Sequence, residues 1–221
     1  MRSDRSARRP RAATANPPLR RPRLLGRIEA DLDQVVRAAR PVADEGAAVL
    51  SPLEIMTIAL EDRRFFVHSG VDLRSVAREL VKATRFRPHG GASTIDMQFV
   101  RTVTGFRRHS IRRKLYEALL ALGLRSRCGK IAILRAYLAC AYFGTGLVGA
   151  DAAAQKVFGK AAGMLEVDEA ALVSAMLACP RPLSGSTEWE ARARRRATYG
   201  LEIFAANRRR LAGPHSLAAG L

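Results

Sequence analysis

Cysteine is scarce in this chain: Cys128, Cys140 and Cys179 are odd in number and form no CxxC pair. Neither a disulfide framework nor a zinc site is therefore indicated, and Cys140 and Cys179 read as small core residues. No run of ~18 apolar residues occurs, so no segment reads as a membrane-spanning helix. The arginine-rich start is not followed by the apolar stretch of a secretory signal. Strand-like alternation is rare and no repeat of fixed period is present, which favours an all-α domain over a sheet or a solenoid. Acidic residues are also few, 20 against 38 basic, for a net charge of +18. The basic residues are nearly all arginine, which holds its charge and binds phosphate in bidentate fashion. The excess calls for an anionic partner: nucleic acid, an anionic membrane surface or a phosphorylated substrate. Aromatic residues are not interleaved with the basic runs and no reader motif is visible, which argues against nucleic acid.

What is present is enough for one domain of ordinary size with a buried core, since the chain has 221 residues. Residues 1–26, rich in arginine and proline, read as a disordered basic arm, with a tether to anionic lipids and a solvated tail as its two open roles. Residues 27–212 read as the domain and 213–221 as a tail. Within the domain, 27–40 has the spacing of a short amphipathic helix. Ser51, Pro52 and Glu54 supply an N-cap, a first-turn proline and a capping-box partner. The helix they start carries Leu53, Met56 and Leu60 as its core stripe and places Glu61 beside that stripe near its end. Asp72 caps a helix bearing Val76, Leu80 and Val81, and Pro88, Gly90 and Gly91 then break the chain. Ser93 is expected to cap the next helix. Ser110 is expected to cap one reaching about Arg125, with Ile111, Leu115, Leu119 and Leu122 turned inward. Further helices are expected over 130–143, 149–157, 168–178 and 187–210.

Three blocks carry candidate chemistry. EDRRFFVHSGVD opens with Glu61 and Asp62 at a helix end; a packed terminus with a solvated acidic pair is its plain reading. GGASTIDMQFVR puts glycines and hydroxyls at a helix N-terminus, where free amides and the dipole attract anions, and sets Gln98 and Arg101 on one face. A capped helix after a loop would look the same. IRRKLYE spaces Arg113 and Glu117 as i and i+4, the spacing of a surface ion pair, while Arg112, Arg113 and Lys114 together suit a diphosphate. Two carboxylates flanking an anion-binding stretch suggest glycosyl transfer.

The order of blocks is more specific than any one of them. It resembles glycosyltransferase family 51, the peptidoglycan transglycosylases that occur alone or as the polymerising domain of class A penicillin-binding proteins. The resemblance runs from about Pro52 to Pro182. After the first two blocks, RRKLYEALLA is similar to the third signature of the family, KIAILRAYLACAYFGTGLVGADAAAQKVFGK to the fourth and DEAALVSAMLACP to the fifth. It implies a lysozyme-like, mainly α fold that polymerises lipid II into β-1,4-linked glycan with release of undecaprenyl diphosphate. By position, Glu61 would be the general base and Glu117 the second acid. Ser93, Thr94, Gln98, Arg101, Arg113 and Lys114 would line the donor site. His68 matches the first signature and is read as structural. No metal motif is readable, and no cofactor is required, although a divalent cation, Mg or Mn, could assist. The implied partners are lipid II, the lipid-linked glycan, an anionic membrane surface and other cell-wall synthesis proteins. The implied location is the outer face of the cytoplasmic membrane. With neither a transmembrane anchor nor a transpeptidase segment in the chain, a monofunctional, peripheral protein is expected.

Departures from the pattern keep a second reading open, a degenerate member that binds lipid-linked glycan or assembly partners without turnover. Thr102 stands in place of the usual Asn and His109 in place of an Arg. Ala132, Arg135 and Ala139 replace Glu, Glu and Asn, an exchange expected to remove polar contacts between helices.

Overall fold

The structure, a computed structural model, describes residues 24–40, 49–84, 93–106 and 110–211. Its elements are α1 (Leu24–Ala39), α2 (Pro52–Glu61), α3 (Leu73–Thr84), α4 (Ile95–Thr104), α5 (Ile111–Arg125), α6 (Lys130–Cys140), β1 (Tyr142–Gly144), β2 (Leu147–Val148), α7 (Ala150–Phe158), α8 (Val167–Ala175) and α9 (Thr187–Leu211), with a 3-10 turn at Ala162–Met164. The all-α expectation holds, with one small addition. The helix expected over 130–143 stops at Cys140, and β1 pairs antiparallel with β2. Gly144 lies against the backbone of Arg181, a contact too close for any side chain.

The centre of the molecule is α2. Residues Leu53 through Ala59 are all buried, so this helix is enclosed on every side rather than amphipathic. It packs against α8 and α9. The small residues Ala170, Ala171, Ser174 and Ala175 on α8 are fully buried and let the two helices approach closely. Ser174 Oγ lies 3.1 Å from Thr57 Oγ1, which satisfies both hydroxyls inside this seam. The start of α2 is as the sequence indicates: Glu54 N–H donates to Ser51 Oγ, and Ser51 N–H returns a bond to Glu54 Oε2 at 2.7 Å.

A second group forms around α4, which packs on α5 and α6, while α1 lies across all three. Here α1 begins at Leu24, inside the segment read as arm, because Leu24 and Leu25 extend its first turn with exposed side chains. The rest of the arm, the break at 85–92, His109 and the tail at 213–221 lie outside the described residues.

One helical face is reversed from expectation. Ile111, Leu115, Leu119 and Leu122 of α5 are exposed, at 78, 66, 48 and 48%. The buried face is Glu117, Leu120, Ala121 and Leu124 instead. Two apolar stripes compete on this helix, and packing against α4 and α1 selects the second. Leu32 of α1 occupies the space over Gly123, and the Tyr116 hydroxyl donates to Asp31 at 2.8 Å.

Burial and the Asp31 carboxylate push the Tyr116 phenol up to about 12, favouring its neutral form in the fold. A raised folded pKa gives stability that is complete below the free value of 10.0 and is lost as pH climbs toward about 12. Tyr116→Phe should therefore cost about 1 kcal/mol at neutral pH. It should also shrink the alkaline loss of stability, as read from denaturant titrations across that pH range.

Candidate active site

Glu61 sits at the last turn of α2 with its side chain 12% exposed, and both of its oxygens are held. Arg196 of α9 donates to Oε1 at 2.7 Å and Gln98 of α4 donates to Oε2 at 3.1 Å. The Gln98 carbonyl accepts from the Tyr137 hydroxyl at 2.7 Å. Tyr137 is pushed well above the usual phenol range, first by burial and then by the Glu61 charge, so it stays a donor. That bond fixes which end of the Gln98 amide faces Glu61.

Sequence reasoning reached Glu61 and Gln98 but missed Arg196 and Tyr137. Arg196 lies among several arginines of α9, and charge alone does not single it out. Gly200, four residues on, is the local signal: a side chain there would press on Leu60, so α9 can lie close to the end of α2.

The residue after Glu61 organises the neighbouring element. The Asp62 carboxylate accepts the Ile95 N–H at 3.2 Å and the His68 Nε2–H at 2.8 Å. The Gly70 N–H donates to His68 Nδ1, which places the ring proton on Nε2 and agrees with a structural role for this histidine. The α4 N-terminus, expected to be open to a bound anion, already has one in Asp62. Its N-cap is Thr94 rather than Ser93. Thr94 Oγ1 accepts from Met97 N–H and donates to the Gly70 carbonyl at 2.6 Å. Ser93 is half-buried and precedes the cap.

Lys130 enters the same cluster from the start of α6. Its ammonium is 2.7 Å from Asp96 Oδ2, 3.5 Å from His68 Nδ1 and 4.4 Å from the centre of the Phe65 ring. Burial pushes its pKa below the usual lysine value, against the pull of Asp96 and Asp62. Potential metal ligand atoms of Asp62, His68 and Asp96 lie within 4.8 Å of one another, the one such group among the described residues. The Lys130 ammonium already supplies the positive charge there, and Asp62 is engaged by Ile95 and His68. As the side chains stand, the set does not fit a divalent ion.

Glu117 lies on α5, with α4 connecting the two acidic positions through Gln98 on one side and its packing against α5 on the other. It is 1% exposed and pairs with Arg113, Nε to Oε1, at 3.1 Å. The pair is buried rather than on the surface. Lys114 is exposed, and Arg101 is half-buried on α4 on the same face as Gln98.

The departures at Arg135 and Thr102 form contacts of their own. Arg135 does not remove a polar contact between helices; its Nε donates to Glu54 Oε1 at 2.6 Å and joins α6 to the start of α2. Thr102 Oγ1 donates to the Gln98 carbonyl one turn back.

A half-buried carboxylate is thus fixed between a guanidinium and an oriented amide on a mainly helical, lysozyme-like scaffold. The transglycosylase family profile matches residues 41–204, and the chain belongs to that family, glycosyltransferase family 51. It is 37% identical over 129 residues to a biosynthetic peptidoglycan transglycosylase of Marinomonas sp., covering 58% of this chain and 57% of that protein. A protein of the same description from Vibrio parahaemolyticus is 39% identical over 128 residues, covering 58% of this chain and 57% of the relative. Penicillin-binding protein 1A of Aquifex aeolicus is 38% identical over 124 residues, 56% of this chain and 17% of its own length. The matched part of the chain thus spans little more than half the length of these biosynthetic relatives.

The loop between Asp62 and Asp72 is pinned at Gly70, whose φ is +101° and where a side chain would meet the Ala121 carbonyl oxygen at 2.7 Å. Gly70→Ala is expected to cost about 1–3 kcal/mol, seen as a lower Tm. Ala in place of Gly163, which has open space around it, serves as the control and should change little.

Proposed function

We propose that this protein is a peptidoglycan glycosyltransferase that polymerises lipid II into β-1,4-linked glycan with release of undecaprenyl diphosphate. The observation that carries this reading is the setting of Glu61, half-enclosed and held by Arg196 and Gln98, in a chain of the transglycosylase family. Glu61 takes the proton of the acceptor 4-hydroxyl as its oxygen attacks the donor anomeric carbon. The bond from that carbon to the diphosphate oxygen breaks on the opposite face, and its electron pair leaves with the lipid diphosphate. The anomeric centre is inverted.

A diphosphate needs charge neutralisation more than a proton. Lys114 and Arg101 are the cations assigned to it, and Ser93 is assigned to the same donor site. Arg113 serves by holding Glu117 in place through their ion pair, and Thr94 by holding the start of α4. A divalent cation, Mg or Mn, carried by the substrate diphosphate would add to this charge, and no residue role above depends on it. The degenerate reading has no observation in its favour, because Arg135 and Thr102 rebuild contacts around Glu54 and Gln98.

The same reading places the protein in the cell envelope, on the outer face of the cytoplasmic membrane, beside lipid II and other wall-synthesis proteins. No helix among the described residues is long and apolar enough to cross a membrane. The exposed face of α5 suits a peripheral contact instead. Its four large aliphatic side chains form one stripe, and Arg112 and Lys114, both exposed, flank it at the first turn. Aliphatic groups bordered by cations fit the boundary between acyl chains and anionic headgroups.

With purified protein and lipid II, Glu61→Gln should retain its fold and lower polymer formation by at least about 100-fold. Polymerisation at the wild-type rate in that variant would refute the assigned base. The α5 contact has a separate readout: Leu115→Asn with Leu119→Asn should leave Tm nearly unchanged and weaken sedimentation with vesicles containing anionic lipid. Equal sedimentation of the two proteins rules out this face as the contact.

A further inference from the structure

Lys130 and Asp96 form a buried ion pair that the reading above leaves unused. Lys130 is 8% exposed in its side chain and Asp96 is wholly buried. Asp96 spends Oδ2 on the ammonium, and Oδ1 is buried with no hydrogen-bond partner. Such an arrangement is a poor way to gain stability, because the cost of desolvating two charges rivals their attraction and an orphan acceptor adds to it. A pair of well-packed aliphatic side chains would fill this space at least as well. The fold therefore does not need these charges for stability alone.

The position of the ammonium suggests what they do. Asp62, His68 and Asp96 converge on it from three elements: the end of α2, the loop that follows, and the first turn of α4. The carboxylate of Asp62 is the internal anion at the α4 N-terminus, and its next neighbour in sequence is Glu61. One turn along α4 from Asp96 and Ile95 is Gln98, which holds Glu61 Oε2. The ammonium thus stands where the helix bearing Glu61 meets the helix bearing its amide partner.

We propose that Lys130 is a positioning residue for Glu61, a built-in cation that locks the end of α2 to the start of α4 so that the Gln98 amide meets Glu61 in one geometry. This rests on the reading of Glu61 as the acid–base group. Lys130 touches neither Glu61 nor the reacting atoms; it acts through Asp62 and Asp96. The charged groups facing it are Asp96, Asp62 and, opposing them, Arg125 of α5, with the neutral His68 ring beside it; the two carboxylates favour a cation against the cost of burial.

The test uses the full chain, lipid II polymerisation and thermal unfolding. Lys130→Met alone strands the Asp96 charge and should lower Tm by about 10 °C. The double variant Lys130→Met, Asp96→Leu removes both charges and should regain most of that Tm. Its kcat should stay at least about 10-fold low with KM within about 2-fold, since orientation at the reacting centre is lost and substrate contacts are not. A double variant that recovers Tm and kcat together overturns the proposal and makes the pair a packing feature.

Should the double variant fail to fold, Lys130→Ala decides. It leaves the carboxylates and imidazole around a vacated cation position, so Mn2+ should raise its Tm and kcat while leaving wild-type Tm unchanged. No response to the ion in Lys130→Ala overturns the built-in cation. Glu61→Gln run alongside separates the two readings. Its full activity would sink the assignment of the base, whereas an inactive Glu61→Gln beside a fully active double variant sinks only the role of Lys130.

Discussion

The bond between the Asp62 carboxylate and the Ile95 N–H is the joint on which the site depends. It places a negative charge at the end of one helix against the positive N-terminus of another, an attraction that needs no side chain on the donor helix α4. Because Glu61 precedes Asp62 and Gln98 follows Ile95 by three residues, one contact fixes both partners of the Glu61–Gln98 bond. His68, Lys130 and Thr94 support that joint from three sides. The loop they draw in is held flat against α5 at Gly70, so the four elements cannot shift independently.

Around this joint the molecule divides its work between two packed groups. The first, α2 with α8 and α9, is built from small and aliphatic residues, and it delivers Arg196 to Glu61 by letting α9 approach Leu60 over Gly200. The second, α4 with α5 and α6, delivers Gln98 and Tyr137 and buries the Arg113–Glu117 pair. Glu61 therefore stands at the seam between the groups, with one oxygen bound to each. Glu54 joins them again at the other end of α2, where its two oxygens serve Ser51 and Arg135 separately.

Helix starts were the most legible part of the sequence. Ser51 with Glu54, Asp72 and Ser110 all act as their chemistry dictates, because a cap is a local device that needs only its own next turn. The choice of buried face on α5 was not legible. Ile111, Leu115, Leu119 and Leu122 form as good a stripe as the one used, and contacts distant in sequence, from α4, from Gly70 and from Leu32 and Asp31 of α1, decide between them. The cap of α4 was misplaced by one residue for a similar reason: Ser93 and Thr94 are both competent, and the Gly70 carbonyl, 24 positions earlier, selects Thr94. At the site, order and spacing of the blocks led to Glu61, Gln98 and Glu117. The partners that set their geometry, Arg196, Tyr137 and Lys130, come from helices whose local pattern marks them only as basic or apolar.

The enclosure of α2 has a dynamic consequence. A surface helix can fray or open by itself, exposing its amides at little cost, but one that is buried from Leu53 to Ala59 and tied at both ends has little partial opening available. Backbone amides of α2 exchange with solvent only when the helices around it separate. For Glu61, the backbone that carries it stays fixed through motions of the periphery, and only the side chains of Arg196 and Gln98 can move it.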